Sequence, residues 1–277
     1  MSFLGKGLPN LGNTCYINSV LQCLRYSKPF VFLLKEYDAK DQKLLMQNFI
    51  DLLYAGASKT TLASFVHQLA MNNPEFKILR QCDAHELYLY LVDTLYSNKN
   101  FKFNNVFEGS MQSTVSCDVC NHHSITKTPF ISLSLQMKQN AISSVAELLD
   151  EFCTPEALSA QIQCDGCQKK MPSTRKIDIC DTPAIVVIHL KRFQGLRKID
   201  TPVYLDKDLT IDNKPYMLYA VCNHSGGING GHYTAACRKR DGTWIMCNDN
   251  FITDINSLPI QSPVPYLLFY RINDKKN

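Results

Sequence analysis

The segment Gly7–Ser27 reads GLPNLGNTCYINSVLQCLRYS and joins a polar turn to an amphipathic helix. Asn13 and Thr14 are residue types that commonly precede a helix, so we expect Cys15 in the first helical turn. Free backbone N–H groups and the helix dipole at that place favour a thiolate over a thiol. The segment therefore indicates a reactive cysteine, and a cysteine that is merely buried under the helix is the alternative.

The residues around Cys15 support the reactive interpretation. Asn10 lies five residues upstream and can present an amide N–H to the same space. An attacking thiolate turns a carbonyl oxygen into an oxyanion, which needs such a donor. Cys23 lies two turns further along and has no polar residues leading into it, so we predict that it belongs to the core.

Composition limits the classes of protein to which this chain can belong. The 277 residues carry a formal net charge of +4, and their basic residues form only short clusters. A nucleic-acid-binding protein usually has a more concentrated basic patch, so no nucleic-acid partner is expected. No segment is apolar enough to span a membrane or to act as a signal peptide. We therefore expect an intracellular protein, cytoplasmic or nuclear, in which the twelve cysteines serve metal binding or catalysis rather than disulfides.

The order of predicted elements indicates an α+β fold. Residues 14–96 are mainly helical in pattern, and Asp83–Tyr96 gives the strongest helical signal. After about residue 103 the pattern changes to strands with one intervening helix near Val145–Phe152. One of these predicted strands is FISLSLQM, residues 130–137. Helices followed by strands are typical of α+β proteins rather than of alternating βαβ units.

A candidate base for Cys15 occurs near the C-terminus. His232 opens the predicted strand HYTAACRKR, and an Asp-Gly turn leads into a second strand that ends in Asn248 and Asp249. Side chains alternate between the two faces of a strand, so only one of these two shares a face with His232. A two-residue turn favours Asp249 and one more loop residue favours Asn248. The sequence leaves the register open.

Two CxxC pairs form a second constellation. Cys117 and Cys120 are separated by 43 residues from Cys164 and Cys167. Four thiolates are a common ligand set for tetrahedral structural zinc. A redox-active pair is less well supported, because that chemistry needs one motif at a helix start rather than two matched pairs. A nucleic-acid-binding zinc ribbon is also less well supported, because the flanking residues lack a basic aromatic face.

Three segments together resemble a known family. GLPNLGNTCYINSVLQ, RQCDAHELYLYLVDTL and GGHYTAACRKRDGTWIMCND are similar to the cysteine, glutamine-aspartate and histidine boxes of the ubiquitin-specific proteases, which are papain-like cysteine deubiquitinases. The resemblance extends from Gly7 to about Arg271. It implies a papain-like cysteine protease fold with a helical thumb at about 1–103, zinc-ribbon-like fingers at about 104–182 and a β-rich palm at about 183–277.

The resemblance also implies catalytic roles. Cys15 would be the nucleophile, His232 the general base and Asn10 the oxyanion donor. Asn248, four positions after Trp244, matches the third triad residue, and Asp249 would be a supporting polar residue. The four CxxC cysteines would hold structural Zn²⁺ in the fingers, which in this family grip the globular body of ubiquitin.

Further positions match the family's binding site for the ubiquitin tail. Asp83 and Glu86 would bind tail arginines, since carboxylates pair well with guanidinium groups. The alternative is that Asp83 caps a helix and Glu86 is solvated. His224, Gly231 and Tyr233 would line a narrow channel for the terminal Gly-Gly, and the glycines around Gly231 would form a mobile loop.

The expected activity is thiol-dependent cleavage after the C-terminal glycine of ubiquitin. Two alternatives remain at this point, a ubiquitin-binding scaffold that has lost activity and a protease for another ubiquitin-like modifier. We expect a monomer whose partners are ubiquitin or ubiquitinated proteins. With no room expected for an added targeting domain, substrate choice would come from the catalytic domain or from partner proteins.

Overall fold

Helices and strands follow the predicted order along the chain. The structure is a computed structural model that describes residues 5–34, 44–54, 58–76, 79–97, 106–227 and 230–273. Over these residues the helices are α1 (Cys15–Arg25), α2 (Lys28–Leu34), α3 (Leu44–Tyr54), α4 (Lys59–Asn72), α5 (Ala84–Tyr96) and α6 (Val145–Cys153). No helix in these ranges is long and apolar enough to cross a membrane.

The strands begin after the fifth helix. They are β1 (Gly109–Cys117), β2 (His123–Phe130), β3 (Leu133–Gln136), β4 (Ser143–Ser144), β5 (Glu156–Ala157), β6 (Ile162–Cys164), β7 (Lys169–Met171), β8 (Ser173–Asp181), β9 (Ile185–Lys191), β10 (Phe193–Gln194), β11 (Arg197–Lys198), β12 (Val203–Tyr204), β13 (Asp208–Ile211), β14 (Lys214–Gly227), β15 (Gly230–Arg238), β16 (Trp244–Asn248), β17 (Phe251–Ile255), β18 (Gln261–Ser262) and β19 (Pro265–Ile272). The predicted α+β class is confirmed.

Polar side chains fix where the helices begin. Ser58 accepts a hydrogen bond from the Thr61 N–H at the start of α4. Ser144 and Glu147 form a reciprocal capping box at the start of α6. Each bond satisfies a backbone donor that has no partner within the helix. The helix predicted near Val145–Phe152 is therefore confirmed, with its end one residue later.

Helix α1 lies at the centre of the helical half. All of its residues are buried, including the polar Asn18, Gln22 and Arg25. Arg25 donates from Nε and Nη2 to the carbonyl oxygen of Leu52, at 2.9 and 2.6 Å, and so ties α1 to α3. The predicted core position of Cys23 is confirmed, since its side chain has no exposed surface.

An eight-stranded sheet forms the main β structure and packs against α1 through β15 and β14. Its order is β17-β16-β15-β14-β19-β9-β3, with β13 also paired to β14. The pairs are antiparallel except β3 with β9. Because α1 lies against β15, this sheet places the start of the His232 strand beside the start of the Cys15 helix.

A smaller four-stranded sheet, β2-β1-β8-β5, has the first CxxC pair at the end of β1, and the second pair lies on the separate β6–β7 hairpin. The prediction of one strand over FISLSLQM is wrong. Strand β2 ends in this small sheet at Phe130, and β3 starts at Leu133 in the eight-stranded sheet. The two residues between them allow the chain to leave one sheet and enter the other. The range assigned to the fingers, 104–182, thus includes one strand of the main sheet.

Candidate active site

The turn before Cys15 is organised by Asn10. Its Oδ1 accepts hydrogen bonds from the backbone N–H groups of Gly12, at 3.0 Å, and Thr14, at 3.2 Å. The Leu11 N–H donates to the Thr14 hydroxyl at 2.9 Å. These bonds hold the chain in a compact loop that leads directly into α1. Cys15 is therefore the first residue of the helix, as the sequence predicts.

Burial dominates the electrostatics of the Cys15 thiol. Only 3% of the residue is exposed, and this desolvation raises the pKa of the thiol. The negative charge of Asp249 also raises that pKa, whereas the backbone N–H groups of Tyr233, Tyr16 and Cys15 lower it. The N–H groups at the helix start thus act in the predicted direction, but the cost of burying the charge outweighs them in the substrate-free protein.

The register of the β15–β16 hairpin decides which residue accompanies His232. Arg238 pairs with Trp244, so five residues lie between the paired positions rather than two. This odd number places Asn248 on the same face as His232. His232 Nε2 lies 2.7 Å from Asn248 Oδ1. Since the amide oxygen is an acceptor, Nε2 carries the proton and Nδ1 is the free base of the ring.

Asp249 lies beside this pair but bonds elsewhere. Its carboxylate accepts hydrogen bonds from the amides of Asn10, at 2.9 Å, and Asn18, at 2.7 Å, and lies 4.0 Å from His232 Nε2. Its carbonyl oxygen accepts the Leu8 N–H at 2.9 Å. Asp249 therefore joins the loop before Cys15, helix α1 and the end of β16. Among the hydrogen bonds of the described ranges, none joins Cys15 directly to His232.

A cleft leads along α5 and the β14–β15 hairpin. Its lining includes Gln81, Asp83, His189, Phe193, His224 and Tyr233. Asp83 caps α5 by accepting the N–H groups of His85 and Glu86, and its other oxygen accepts the hydroxyl of Tyr266. Asp83 therefore caps a helix, which is the alternative interpretation from the sequence, and it also lines the cleft. Glu86 is largely exposed. The part of it that is buried and the negative charges of Asp83 and Glu75 raise the pKa of its carboxyl group.

Aromatic rings build one wall of this cleft. His224 is 4% exposed and lies 4.6 Å from Tyr233 and 5.4 Å from Phe193, measured between ring centroids. Burial, with a contribution from Lys198, lowers the pKa of His224 to about 4. His189 stacks on His85 at 4.0 Å, and its Nδ1 lies 3.0 Å from the Ser134 hydroxyl. His189 also lines the cleft.

The glycines next to His232 take part in the pairing of strands β14 and β15. Gly226 pairs with Gly231, and Gly227 with Gly230, so the described part of the predicted mobile loop is a β-hairpin. Ile228 and Asn229 lie outside the described residues. The Gln81 amide donates to the Gly231 carbonyl and accepts the Gly231 N–H, both at 2.9 Å. A Cβ atom at Gly231 would lie 2.2 Å from His224 Nε2, so only glycine fits there.

The two CxxC pairs meet through tertiary structure. The sulfur atoms of Cys117, Cys120, Cys164 and Cys167 all lie within 4.8 Å of one another. The Cys120–Cys164 distance is 3.6 Å and the Cys117–Cys167 distance is 3.9 Å. A tetrahedral zinc ion with bonds of about 2.3 Å separates its sulfur ligands by about 3.8 Å. The N–H groups of Cys120 and Val119 lower the pKa of Cys117, whereas the hydrogen bond to Cys120 and burial raise the pKa of Cys167. The four cysteines can thus bind a metal ion.

Comparison with known families agrees with this geometry. The family model described as "Ubiquitin carboxyl-terminal hydrolase" matches residues 6–270. The chain belongs to this family. It is 29% identical to ubiquitin carboxyl-terminal hydrolase 23 of Arabidopsis thaliana, covering 99% of this chain and 36% of that protein. It is 30% identical to hydrolase 25 of the same plant, covering 98% and 48%.

Solved structures of the family share the fold. The SAGA DUB module Ubp8/Sgf11/Sus1/Sgf73 bound to monoubiquitin matches with a TM-score of 0.86 and 26% identity, over 98% of this chain and 70% of that one. The same module bound to ubiquitin aldehyde matches with a TM-score of 0.85. The family resemblance and the ubiquitin-specific protease fold are therefore confirmed. The chain spans between about a third and a half of the two plant relatives.

Some residues of the site carry no clear sequence signal. Asn18, which bonds to Asp249, is one of several polar residues on α1, and the sequence alone does not distinguish it from Ser19 or Gln22. Phe193 and Tyr266 reach the cleft from strands β10 and β19. No motif in the neighbouring residues marks either position, so only the topology shows where they lie.

Proposed function

We propose that this chain is a thiol-dependent deubiquitinase that hydrolyses the bond after the C-terminal glycine of ubiquitin. One observation carries the proposal. Strand β15 supplies both His232, which is hydrogen-bonded to Asn248, and Tyr233, whose backbone N–H is within hydrogen-bonding reach of the Cys15 thiol and lowers its pKa. A cysteine, a histidine and an amide in adjacent positions are the groups that a papain-like hydrolase needs.

The geometry supports a definite path for the proton. Asn248 holds the Nε2–H of His232, so Nδ1 is the atom that takes the proton of Cys15. The thiolate attacks the carbonyl carbon after the last glycine, and a C–S bond forms. The C–N bond then breaks as His232 returns the proton to the leaving amine. A water molecule, deprotonated by the same imidazole, attacks the thioester carbon. The C–S bond then breaks and releases the ubiquitin carboxylate and the Cys15 thiolate.

Oxyanion stabilisation falls to the start of α1. The Cys15 N–H and the Asn10 amide are the proposed donors to the developing negative charge. Asn10 Nδ2 carries two hydrogens, and one of them is donated to Asp249. The second hydrogen is the one proposed for the oxyanion. Asp249 is accordingly proposed as the residue that positions Asn10, while Asn248 is the third member of the triad.

The cleft is the proposed channel for the ubiquitin tail. Its wall of His224 and Tyr233 is proposed to admit glycine and to exclude larger side chains. Asp83, which lines the cleft just before α5, and the exposed Glu86 in the first turn of that helix are the proposed partners of tail arginines. Ubiquitin is the proposed modifier because the similar solved modules are bound to monoubiquitin and ubiquitin aldehyde.

Zinc is the proposed metal of the cysteine cluster, with a structural role. The spacing of the four sulfur atoms fits tetrahedral thiolate ligation, and the cluster lies at the end of β1 and on the β6–β7 hairpin rather than on the elements that carry Cys15 and His232. The metal would cross-link the ends of β1 and the β6–β7 hairpin. We also propose a monomeric, intracellular protein, since free thiols at the nucleophile and at the metal site require a reducing compartment.

The experiment that tests this function uses ubiquitin with a fluorogenic amide at its C-terminus. The expected result is turnover by the purified chain that Cys15→Ser abolishes and Cys23→Ser retains, since both cysteines lie on α1 but only one starts it. Ubiquitin binding without turnover would instead support the inactive scaffold. Turnover of another ubiquitin-like modifier in preference to ubiquitin would reassign the substrate.

A further inference from the structure

A large, exposed aromatic side chain lies next to the proposed triad. Phe251 begins strand β17 and is 75% exposed. It pairs directly with Asn248 in the β16–β17 hairpin, across a turn formed by Asp249 and Asn250. Cross-strand partners point to the same face of a sheet, with their Cβ atoms about 5 Å apart. The ring of Phe251 therefore stands beside the amide that is hydrogen-bonded to His232.

The turn that presents Phe251 is fixed against the segment before the Cys15 loop. The carbonyl oxygen of Asp249 accepts the Leu8 N–H at 2.9 Å. A Cβ atom at Gly7 would lie 2.2 Å from the carbonyl oxygen of Asn250, so the two backbones are in direct contact there. Because the turn is anchored at both of its residues, Phe251 is held in place before a substrate arrives. A contact that is ordered in advance costs less entropy on binding.

The strand order decides which side of the scissile bond Phe251 faces. In the eight-stranded sheet, β15 has β14 on one side and β16 followed by β17 on the other. The lining of the proposed tail channel includes residues of β14, β19 and β9 as well as β15. The ubiquitin tail therefore reaches His232 from the β14 side. The leaving group extends from His232 in the other direction, toward β17 and Phe251.

The surface on this second side is open. Asn248 is exposed, and the side chain of His232 is 43% exposed. On the channel side, by contrast, His224 and Tyr233 are almost completely buried. A narrow channel suits the two glycines of the tail, whereas an open face suits a bulky leaving group. An aromatic ring on that face offers an apolar surface that the methylene groups of a lysine can cover.

We propose that Phe251 selects the leaving group by packing against the four-carbon stem of the acceptor lysine in an isopeptide-linked substrate. The inference rests on the proposed function, since it concerns the other half of the same substrate. The lysine nitrogen is bonded to the carbonyl carbon that Cys15 attacks, so its methylene groups extend over the neighbouring surface. A leaving group joined through its α-amine has no such stem at that place. Phe251 therefore favours isopeptide bonds over linear bonds.

Ile260 provides a matched control for this assignment. It is also 75% exposed, but it lies next to β18, in the three-stranded sheet β18-β12-β4. A single exposed apolar side chain is common on protein surfaces and needs no function. Phe251 differs from Ile260 because it is paired with the triad amide and presented by an anchored turn.

Two substrates that differ only in their linkage provide the test. Both carry ubiquitin on the same glycine-rich peptide, one through the ε-amine of a lysine and the other through the α-amine of the peptide. Values of kcat/KM for both are measured by mass spectrometry of the products. The proteins compared are the wild type, Phe251→Ser, Phe251→Leu and Ile260→Ser. Thermal unfolding of each variant confirms that it is folded.

The wild type should prefer the isopeptide, and Phe251→Ser should lower the ratio of the two kcat/KM values about threefold to tenfold, because the apolar contact is lost. Phe251→Leu should retain most of the preference and Ile260→Ser all of it. An active Phe251→Ser variant with an unchanged ratio would overturn this inference alone, since an equal loss on both substrates does not involve the stem. No turnover of either substrate by the wild type would overturn the proposed function and this inference with it.

Discussion

His232 Nε2 lies 2.7 Å from Asn248 Oδ1 and 4.0 Å from the nearest Asp249 oxygen. The neutral amide, rather than the adjacent carboxylate, therefore orients the imidazole. The carboxylate instead binds Asn10 and Asn18, and so stabilises the loop that leads to Cys15. Adjacent residues of the chain thus contact different parts of the site, one the proposed base His232 and the other the loop before the proposed nucleophile Cys15.

This division of roles predicts different outcomes for two alanine variants. Asn248→Ala should lower kcat for the ubiquitin substrate by about tenfold to a hundredfold with little effect on stability, because the imidazole loses its orienting partner. Asp249→Ala should lower kcat less but reduce the free energy of unfolding by about 1–3 kcal/mol, because two amides lose their acceptor. Steady-state kinetics and urea unfolding measure both. A larger loss of kcat in Asp249→Ala would move the triad role to Asp249.

Gly231 and Gly230 form a matched pair for the channel. A Cβ at Gly231 would lie 2.2 Å from His224 Nε2 and 2.6 Å from the Ser225 carbonyl oxygen, so Gly231→Ala must displace the strand that carries His232. A Cβ at Gly230 would meet its nearest neighbour, Gln81 Oε1, at 3.6 Å, which is an ordinary contact. We expect Gly231→Ala to lose at least about tenfold in kcat/KM and Gly230→Ala to stay near wild type. Equal effects would show that the close approach does not matter.

The cysteine cluster predicts a specific loss of metal. Cys164→Ser should release the bound ion and lower the unfolding temperature, because the fingers lose a ligand and a cross-link. Cys180→Ser is the control, since Cys180 is partly buried but lies outside the cluster. Metal content by plasma mass spectrometry should be one zinc per chain in the wild type and in Cys180→Ser, and well below one in Cys164→Ser. An unchanged zinc content in Cys164→Ser would contradict the four-cysteine site.

The buried His224 predicts a dependence of stability on pH. Burial lowers its pKa to about 4 in the folded protein, whereas the unfolded chain has a value of about 6.5. The unfolded state therefore binds the proton more readily between these values, so the contribution of His224 is fully present above about pH 6.5 and is lost as pH falls toward 4. Compared with wild type, His224→Gln should lose about 1–2 kcal/mol less on going from pH 7 to pH 5.

A control variant isolates this effect. His67 is exposed on α4, so His67→Gln should keep the full pH dependence of the wild type. Urea unfolding at both pH values gives the comparison. If His224→Gln and His67→Gln show the same change between pH 7 and pH 5, the neutral buried histidine is not a source of acid sensitivity.

The sequence predicts the α+β order and the CxxC constellation well, because these depend on local patterns. Amphipathic spacing marks α1, α3 and α5, and capping residues mark several starts. The division of FISLSLQM between two sheets is not predictable in this way. Both halves have strand character, and only long-range pairing of β2 with β1 and of β3 with β9 separates them.

The site shows the same limit. The choice between Asn248 and Asp249 depends on whether the number of residues that join β15 to β16 is even or odd. The connection from Lys239 to Thr243 has five residues and is stabilised by hydrogen bonds within the turn. The environment of Cys15 is only partly visible in the sequence. The helix start is visible in the sequence, but the burial that outweighs it comes from β15 and other distant elements.

The most direct test of the account is covalent capture of Cys15. Ubiquitin carrying a thiol-reactive warhead at its C-terminus is incubated with the wild type, Cys15→Ser and Cys23→Ser, and the products are analysed by intact and peptide mass spectrometry. The account predicts one ubiquitin attached at Cys15 in the wild type and in Cys23→Ser, and none in Cys15→Ser. An adduct at another cysteine, or no adduct with folded wild-type protein, would contradict it.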